Sequence, residues 1–356
     1  MKQSKLAGLI YLGLISTTSL HSVSAFADAA VPTFYGRFNV SLEQRDLESA
    51  GTDQWELNSN ASRLGIKGTL DIKDSDLKVI YQAEYETNTD DGSDGSVKTT
   101  IDTSVPASVD VKSKAAPFSQ RNTFVGLQGN FGQVIAGKID TPLKTSEGKV
   151  DQFNDLYADF DVLIGGQNRV DNIVQYSSPK LAENIVINAA FIPAEGVDVD
   201  ADTKIDDGPA DSISVSAVYD DKTFYAALAI DQNQAARRSV DGIKQGDLVR
   251  LVGGWKKDSI ELGALFQQTT DAASGSDKQD TSFLISGAYT VDALKYKVQL
   301  AQSNGDVGDE KQTLTALGVD YSLASKTTLY SYLSSLDADL ADTSDSVVGV
   351  GISHSF

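Results

Sequence analysis

The chain has 356 residues, 50 acidic against 30 basic, with a formal net charge of -20 and no cysteine. Such acidity excludes a nucleic-acid role, which needs a basic surface, and a chain without thiols cannot draw stability from disulfides. The only histidines are His21 and His354, too few and too far apart for serine–histidine catalysis, and no glycine-rich phosphate loop leads from a strand into a helix. Neither an enzyme nor a cofactor or metal site is expected.

The start reads as an address. Lys2 and Lys5 precede an apolar stretch over residues 6–20, and Ala25-Phe26-Ala27 offers a small-x-small cleavage site. Residues 1–27 are therefore predicted to be a cleaved signal peptide, with export across the inner membrane and a mature chain of residues 28–356. No second run of eighteen or more apolar residues follows, so any membrane crossing must use strands.

Alternation then begins. Phe34, Gly36, Phe38, Val40 and Leu42 share one parity, while Tyr35, Arg37, Asn39, Ser41 and Glu43 share the other, the pattern of a strand with one apolar and one wet face. Residues 62–72 repeat it with Leu64, Ile66, Leu70 and Ile72 against Arg63, Lys67 and Asp71. Residues 77–86 set Leu77, Val79, Tyr81, Ala83 and Tyr85 against Lys78, Gln82, Glu84 and Glu86. A hairpin over residues 121–138 turns at Phe131-Gly132. The pattern then stops over residues 139–168, a connection far longer than the usual two to six residues, and such an insert is expected to fold into the bore of a barrel and set its width.

Alternation resumes at residues 169–177 and continues through 185–191, 212–219, 223–231, 248–255, 259–268, 281–289, 294–302, 312–321, 327–335 and 346–356; only 327–335 has an ambiguous parity. The count is about sixteen strands of roughly seven to twelve residues, the length a tilted strand needs to cross a bilayer. Connections alternate short and long, and Tyr85, Tyr219, Trp255, Tyr289 and Tyr321 stand near strand ends as an interfacial girdle would. About eight strands already fill a barrel with side chains, so in a sixteen-strand closure the polar face must line water and the apolar face must meet lipid. The fold expected is all-β, a 16-stranded antiparallel transmembrane β-barrel in the outer membrane, with every backbone group paired inside the closed sheet.

The segments SRLGIKG (residues 62–68), RNTFVGLQGNFGQVIAGK (121–138), NRVDNIVQYSSP (168–179) and the ending GISHSF resemble the general diffusion porins of the Gram-negative outer membrane. The resemblance implies a homotrimer of sixteen-stranded barrels, a third extracellular loop folded inward as a constriction, and a long second loop, about residues 87–119, reaching over a neighbouring subunit. It also implies a basic wall at Arg63, Arg121 and Arg169, all read as inward, with Arg37 added from the FYGR match. Acids on the inserted loop should face that wall across water and set up a transverse field that orients dipolar solutes. Asp151, Asp155, Asp159 and Asp161 are available, and Asp151 and Asp155 are the choice; the proline-glutamate-phenylalanine-glycine tip of enteric relatives is absent, and Phe153 is a candidate wall anchor. Lys67, Lys78 and Lys138 are weaker lumen candidates. The terminal Phe356, on the parity of Val348, Val350, Ile352 and His354, resembles the signal read by the barrel assembly machinery.

The expected function is passive diffusion of small hydrophilic solutes and ions. A substrate-specific porin is the near alternative, although Tyr35 and Tyr225 are few inward aromatics for a sugar path. A surface adhesin or receptor using acidic outer loops is a further one. Residues 198–208 lack the glycine and glutamate of a calcium loop; with Asp90, Asp91 and Asp94 they are expected to hold divalent cations loosely beside lipopolysaccharide.

Overall fold

A computed structural model describes residues 31–90, 97–100, 110–113, 118–193, 208–307 and 310–356. The predicted signal segment, Asp91, Asp94, most of the second loop and nearly all of residues 198–208 lie outside the described residues.

The chain begins with β1 (Thr33–Leu47), β2 (Thr52–Ser59), β3 (Arg63–Asp71), β4 (Lys78–Thr87), β5 (Val97–Thr100), β6 (Asp110–Ser113), β7 (Phe118–Gly129) and β8 (Gly132–Asp140). After a long connection come β9 (Arg169–Ser177), β10 (Ile185–Ile192), β11 (Ser212–Asp220), β12 (Phe224–Ala235), β13 (Gln245–Lys257) and β14 (Ile260–Asp271). The last are β15 (Gln279–Val291), β16 (Leu294–Gly305), β17 (Lys311–Ala324), β18 (Thr327–Ala338) and β19 (Thr343–Ser355). Every pairing is antiparallel, and β19 returns to β1 in register from Arg37 opposite Ser355 to Leu47 opposite Asp345, which closes the sheet.

β2 and β3 pair with successive halves of β1 and together fill one position in the wall, while β5 and β6 form a separate ribbon. The closed barrel therefore has sixteen strand positions. The break inside that second position falls at Ala61, which takes a φ of 50°. Alternation restarts there with a different phase, which is why β2, with Trp55 and Leu57 outward, is absent from the sequence expectation.

The short turns lie at one end, together with the start of β1 and the end of β19. Asp258 and Asp292 each take a φ of 52° in these turns, a left-handed conformation that aspartate tolerates better than most residues. The longest connections are at the other end, where 141–168 is the third connection in chain order.

The outward face is apolar along its length. Val125, Leu127, Leu228, Leu251, Leu262, Ile285, Val298, Leu317, Leu333, Val348 and Val350 are all exposed. A patch of that extent is far beyond what a protein surface in water carries, and lipid is the solvent that satisfies it. Phe356 ends the chain on this face, its ring centroid 5.9 Å from that of Phe38 and its backbone nitrogen donating to Gly36 O at 3.1 Å.

The inward face departs from the expected uniform polarity. From β12 to β19 it carries Leu248, Val252, Leu265, Leu284, Leu314 and Val347, all buried. What buries them is residues 141–168: Val150, Phe160, Leu163 and Ile164 pack with Val252, Leu265, Leu284 and Leu314, Leu143 packs with Leu248, and Phe153 and Ala158 pack with Val347. The ambiguous parity of 327–335 has the same cause. Tyr330 and Tyr332 point inward, beneath Phe153 and Ala158, and donate hydroxyl hydrogen bonds to Asn39 and Glu43 across the closing seam.

Candidate channel constriction

Residues 141–168 leave β8 through a short helix, α1 (Pro142–Thr145). Thr141 caps it by accepting from Lys144 N at 3.2 Å, and Pro142 fits the first helical position, where no N–H is needed. The segment then follows the inside of the wall strand by strand. Leu143 N donates to Ser214 Oγ on β11, Tyr225 on β12 donates to Ser146 O, and Ser286 on β15 donates to Val150 O. Gln152 N donates to Gln299 Oε1 on β16, and the same Gln299 donates back to Ala158 O. Tyr225, considered above for a sugar path, is thus used to hold the segment.

Phe153 is the anchor at the far end, 1% exposed. Its ring lies over Gly318 of β17, where a Cβ would come within 2.7 Å of it, and Lys297 Nζ stands 4.6 Å from the ring centroid. A glycine is needed at 318 because any side chain would occupy the space of the ring.

The tip, residues 151–161, is shaped by two carboxylates. Asp151 Oδ1 accepts from Phe153 N at 2.8 Å, and Asp159 accepts from Asp155 N at 2.8 Å, Asp161 N at 2.9 Å and Asn154 Nδ2 at 3.2 Å. Burial pushes both carboxyl groups above the usual carboxylate range, Asp159 well above it, with Asp151 and Asp161 nearby adding to the effect. Asp151 thus accepts a hydrogen bond within the segment, and among the described residues it forms no ion pair with Arg37, Arg63, Arg121 or Arg169. Asp155, at a φ of 66°, is the acid of the tip that reaches the arginines.

Asp155 Oδ2 meets Arg37 Nη2 at 3.0 Å and Arg63 Nη1 at 3.5 Å. The expected separation of acids and arginines across water is absent at this point; the loop acid is in direct contact with the wall. Arg121 pairs with Glu84 at 2.8 Å and Glu86 at 2.6 Å, and Arg63 lies 4.0 Å from Glu84. Tyr35 also donates to Glu84, and Lys67 sits over the Tyr35 ring. Arg169 pairs with Asp140 at 3.0 Å and donates to Asn122 Oδ1, while Lys144 reaches the same Asp140 at 3.1 Å.

The structure brings Arg37, Arg63, Arg121 and Asp155 into one network and leaves Arg169 in an adjoining one. By simple alternation Arg121 shares the parity of the outward Val125. A bulge puts Ala83 opposite Thr123 but Tyr85 opposite Gln120, and the extra residue on β7 lets Arg121 join Glu84 and Glu86. Glu84, Glu86 and Asp140 are the partners of Arg121 and Arg169, and an expectation confined to loop acids does not include them. For Glu84 and Glu86 the signal was present, since both share the wet parity of β4. Lys138 pairs with Asp171 at 3.1 Å and Lys78 with Asp71 at 3.1 Å, both apart from the network.

A closed antiparallel barrel with lipid outside, an inner segment along half the wall and paired charges along the other half defines a β-barrel membrane channel. Residues 16–340 match the Gram-negative porin family, and the chain belongs to it; it is a passive channel of the outer membrane for small solutes. The major outer membrane protein P.IB of Neisseria sicca is 24% identical over 94% of this chain and 96% of its own length. The anion-selective porin from Comamonas acidovorans superposes with a TM-score of 0.70 at 21% identity, covering 91% of this chain and 99% of the other. OmpT of Vibrio cholerae, solved in a trimer form, gives a TM-score of 0.63 at 16% identity, with 92% and 100% covered.

Proposed function

We propose that residues 141–168 narrow the bore, and that solutes pass between this segment and the wall made by β1, β3, β4 and β7–β9. The observation that carries this reading is the contact of Asp155 with Arg37 and Arg63, which spans from the segment to that wall. Each arginine there has a carboxylate within 4.0 Å. Paired charges attract water but leave little net field, so the passage admits small hydrophilic solutes of either sign with weak ion selectivity. Glu84 and Glu86 oppose the arginines from the same wall, and this weakens the transverse field expected from a purely basic wall.

The assembly is a homotrimer. The apolar belt supplies the surface for self-association, and the trimer form of OmpT is a precedent in the fold. Phe356, set on the outward face beside Phe38 at the closing seam, serves as the signal for barrel assembly, and the signal segment directs export. Liposome swelling with uncharged sugars of increasing size tests the transport reading. Rates should fall smoothly with size and rise linearly with concentration; saturating uptake of one solute would replace this reading with a substrate-specific channel.

A further inference from the structure

Arg250 lies midway along β13 between the outward Val249 and Leu251, and it is fully buried. Its guanidinium donates through Nη1 to Leu143 O at 3.2 Å and through Nη2 to Gly165 O at 2.8 Å. Those two carbonyls stand at opposite ends of the inserted segment. Nε and Nη2 also donate to Gln267 Oε1 on β14 at 2.8 and 2.6 Å, and Gln267 Nε2 donates onward to Gly165 O at 3.2 Å. The acids whose fields act on the guanidinium are Glu147, on the segment, and Asp231, on β12. The ring of Phe160, again on the segment, lies 5.8 Å from its central carbon.

We infer that Arg250 is a positioning residue for the channel, a latch that joins both roots of residues 141–168 to the wall and so fixes the width and steadiness of the passage. This rests on the reading of that segment as the element that narrows the bore. Arginine alone among side chains carries five N–H donors in a fixed planar fork, enough to hold two carbonyls and an amide at once; a lysine ammonium can reach the same region but cannot reproduce the fork. Because most of its partners belong to the segment, partial release would strand a buried cation. The segment therefore leaves the wall only when all of these bonds break together. In normal operation it stays seated.

The chain has no cysteine, so Val150→Cys, on the segment and 3% exposed where it packs against the wall, gives a unique reporter. It is read by its rate of reaction with a small water-soluble maleimide in the purified, detergent-folded protein. In the Val150→Cys parent, labelling should be slow. Adding Arg250→Ala should speed it by about tenfold or more, the ratio equivalent to about 1.4 kcal/mol of lost anchoring, and single channels of Arg250→Ala should show frequent partial closures. Arg250→Lys should fall between the two. Where Arg250→Ala does not yield a folded barrel, judged by heat-modifiable migration in gels, the lysine variant decides. Parent-like protection and a quiet current in the folded variants would overturn the latch. Absence of any conductance from the folded parent would instead remove the channel reading, and the labelling rates would still report on whether Arg250 seats the segment.

Discussion

Asp155 and Arg37 are in contact across the inside of the barrel, the carboxylate oxygen 3.0 Å from the guanidinium nitrogen, with Arg63 sharing the same oxygen at 3.5 Å. One acid on the inserted segment thus offsets two cations of the wall. Removing it with Asp155→Ala should leave Arg37 and Arg63 free to attract anions. A unit charge about 4 Å away is worth ~1 kcal/mol even with the screening of bulk water, so the chloride-to-potassium permeability ratio should rise about fivefold. The reversal potential in a salt gradient measures this, and an unchanged ratio would show that the pair does not line the ion path.

Glu84 holds Arg121, approaches Arg63 and accepts from Tyr35. Glu84→Gln should also shift preference toward anions. Because Glu84 and Asp155 share Arg63, the two substitutions are expected to be non-additive when combined. Strict additivity of the two shifts, measured in the same gradients, would mean that they act on separate ion paths.

Phe153 fills the notch at Gly318. Phe153→Ala should cost about 3–5 kcal/mol of local packing, seen as a lower unfolding temperature and a noisier channel. Gly318→Val should give the same noise with Phe153 intact, since the new side chain occupies the space of the ring. A quiet channel in both would show that the tip of the segment is held elsewhere.

Glu147 lies on the inserted segment beside Arg250, Asp151, Lys144 and Gln167, and burial pushes its carboxyl up to about 7 from the ordinary 4.5. A raised acid favours the proton more in the folded state, so its contribution to stability is complete below pH 4.5 and is lost as pH rises through about 7. Thermal stability should fall over that window, and Glu147→Gln should remove that part of the pH dependence. Identical stability profiles for the two proteins would contradict the assignment.

Much of the barrel is legible in the sequence because lipid imposes period-two alternation, and the outward residues of β1, β4, β11 to β17 and β19 follow it. Reading fails wherever the inside of the barrel is dry. In β18 the inward residues are Tyr330 and Tyr332, so both faces look apolar where Phe153 and Ala158 of the inserted segment cover them. The site was legible in part. Arg37, Arg63 and Asp155 come together, yet a bulge decides the direction of Arg121, and nothing in a strand pattern announces a bulge. Asp151 and Asp155 look alike in sequence; backbone N–H groups claim one and leave the other for the arginines. Arg250 offers a faint signal as a lone charge in a strand apolar on both parities.

A water-filled path runs through this barrel. Current across a planar lipid bilayer containing the purified, folded protein tests it most directly. Discrete, long-lived conductance steps with a linear current–voltage relation at low voltage are expected, with closure at high voltage in three equal levels. A folded barrel that inserts into the bilayer and passes no ions would contradict it.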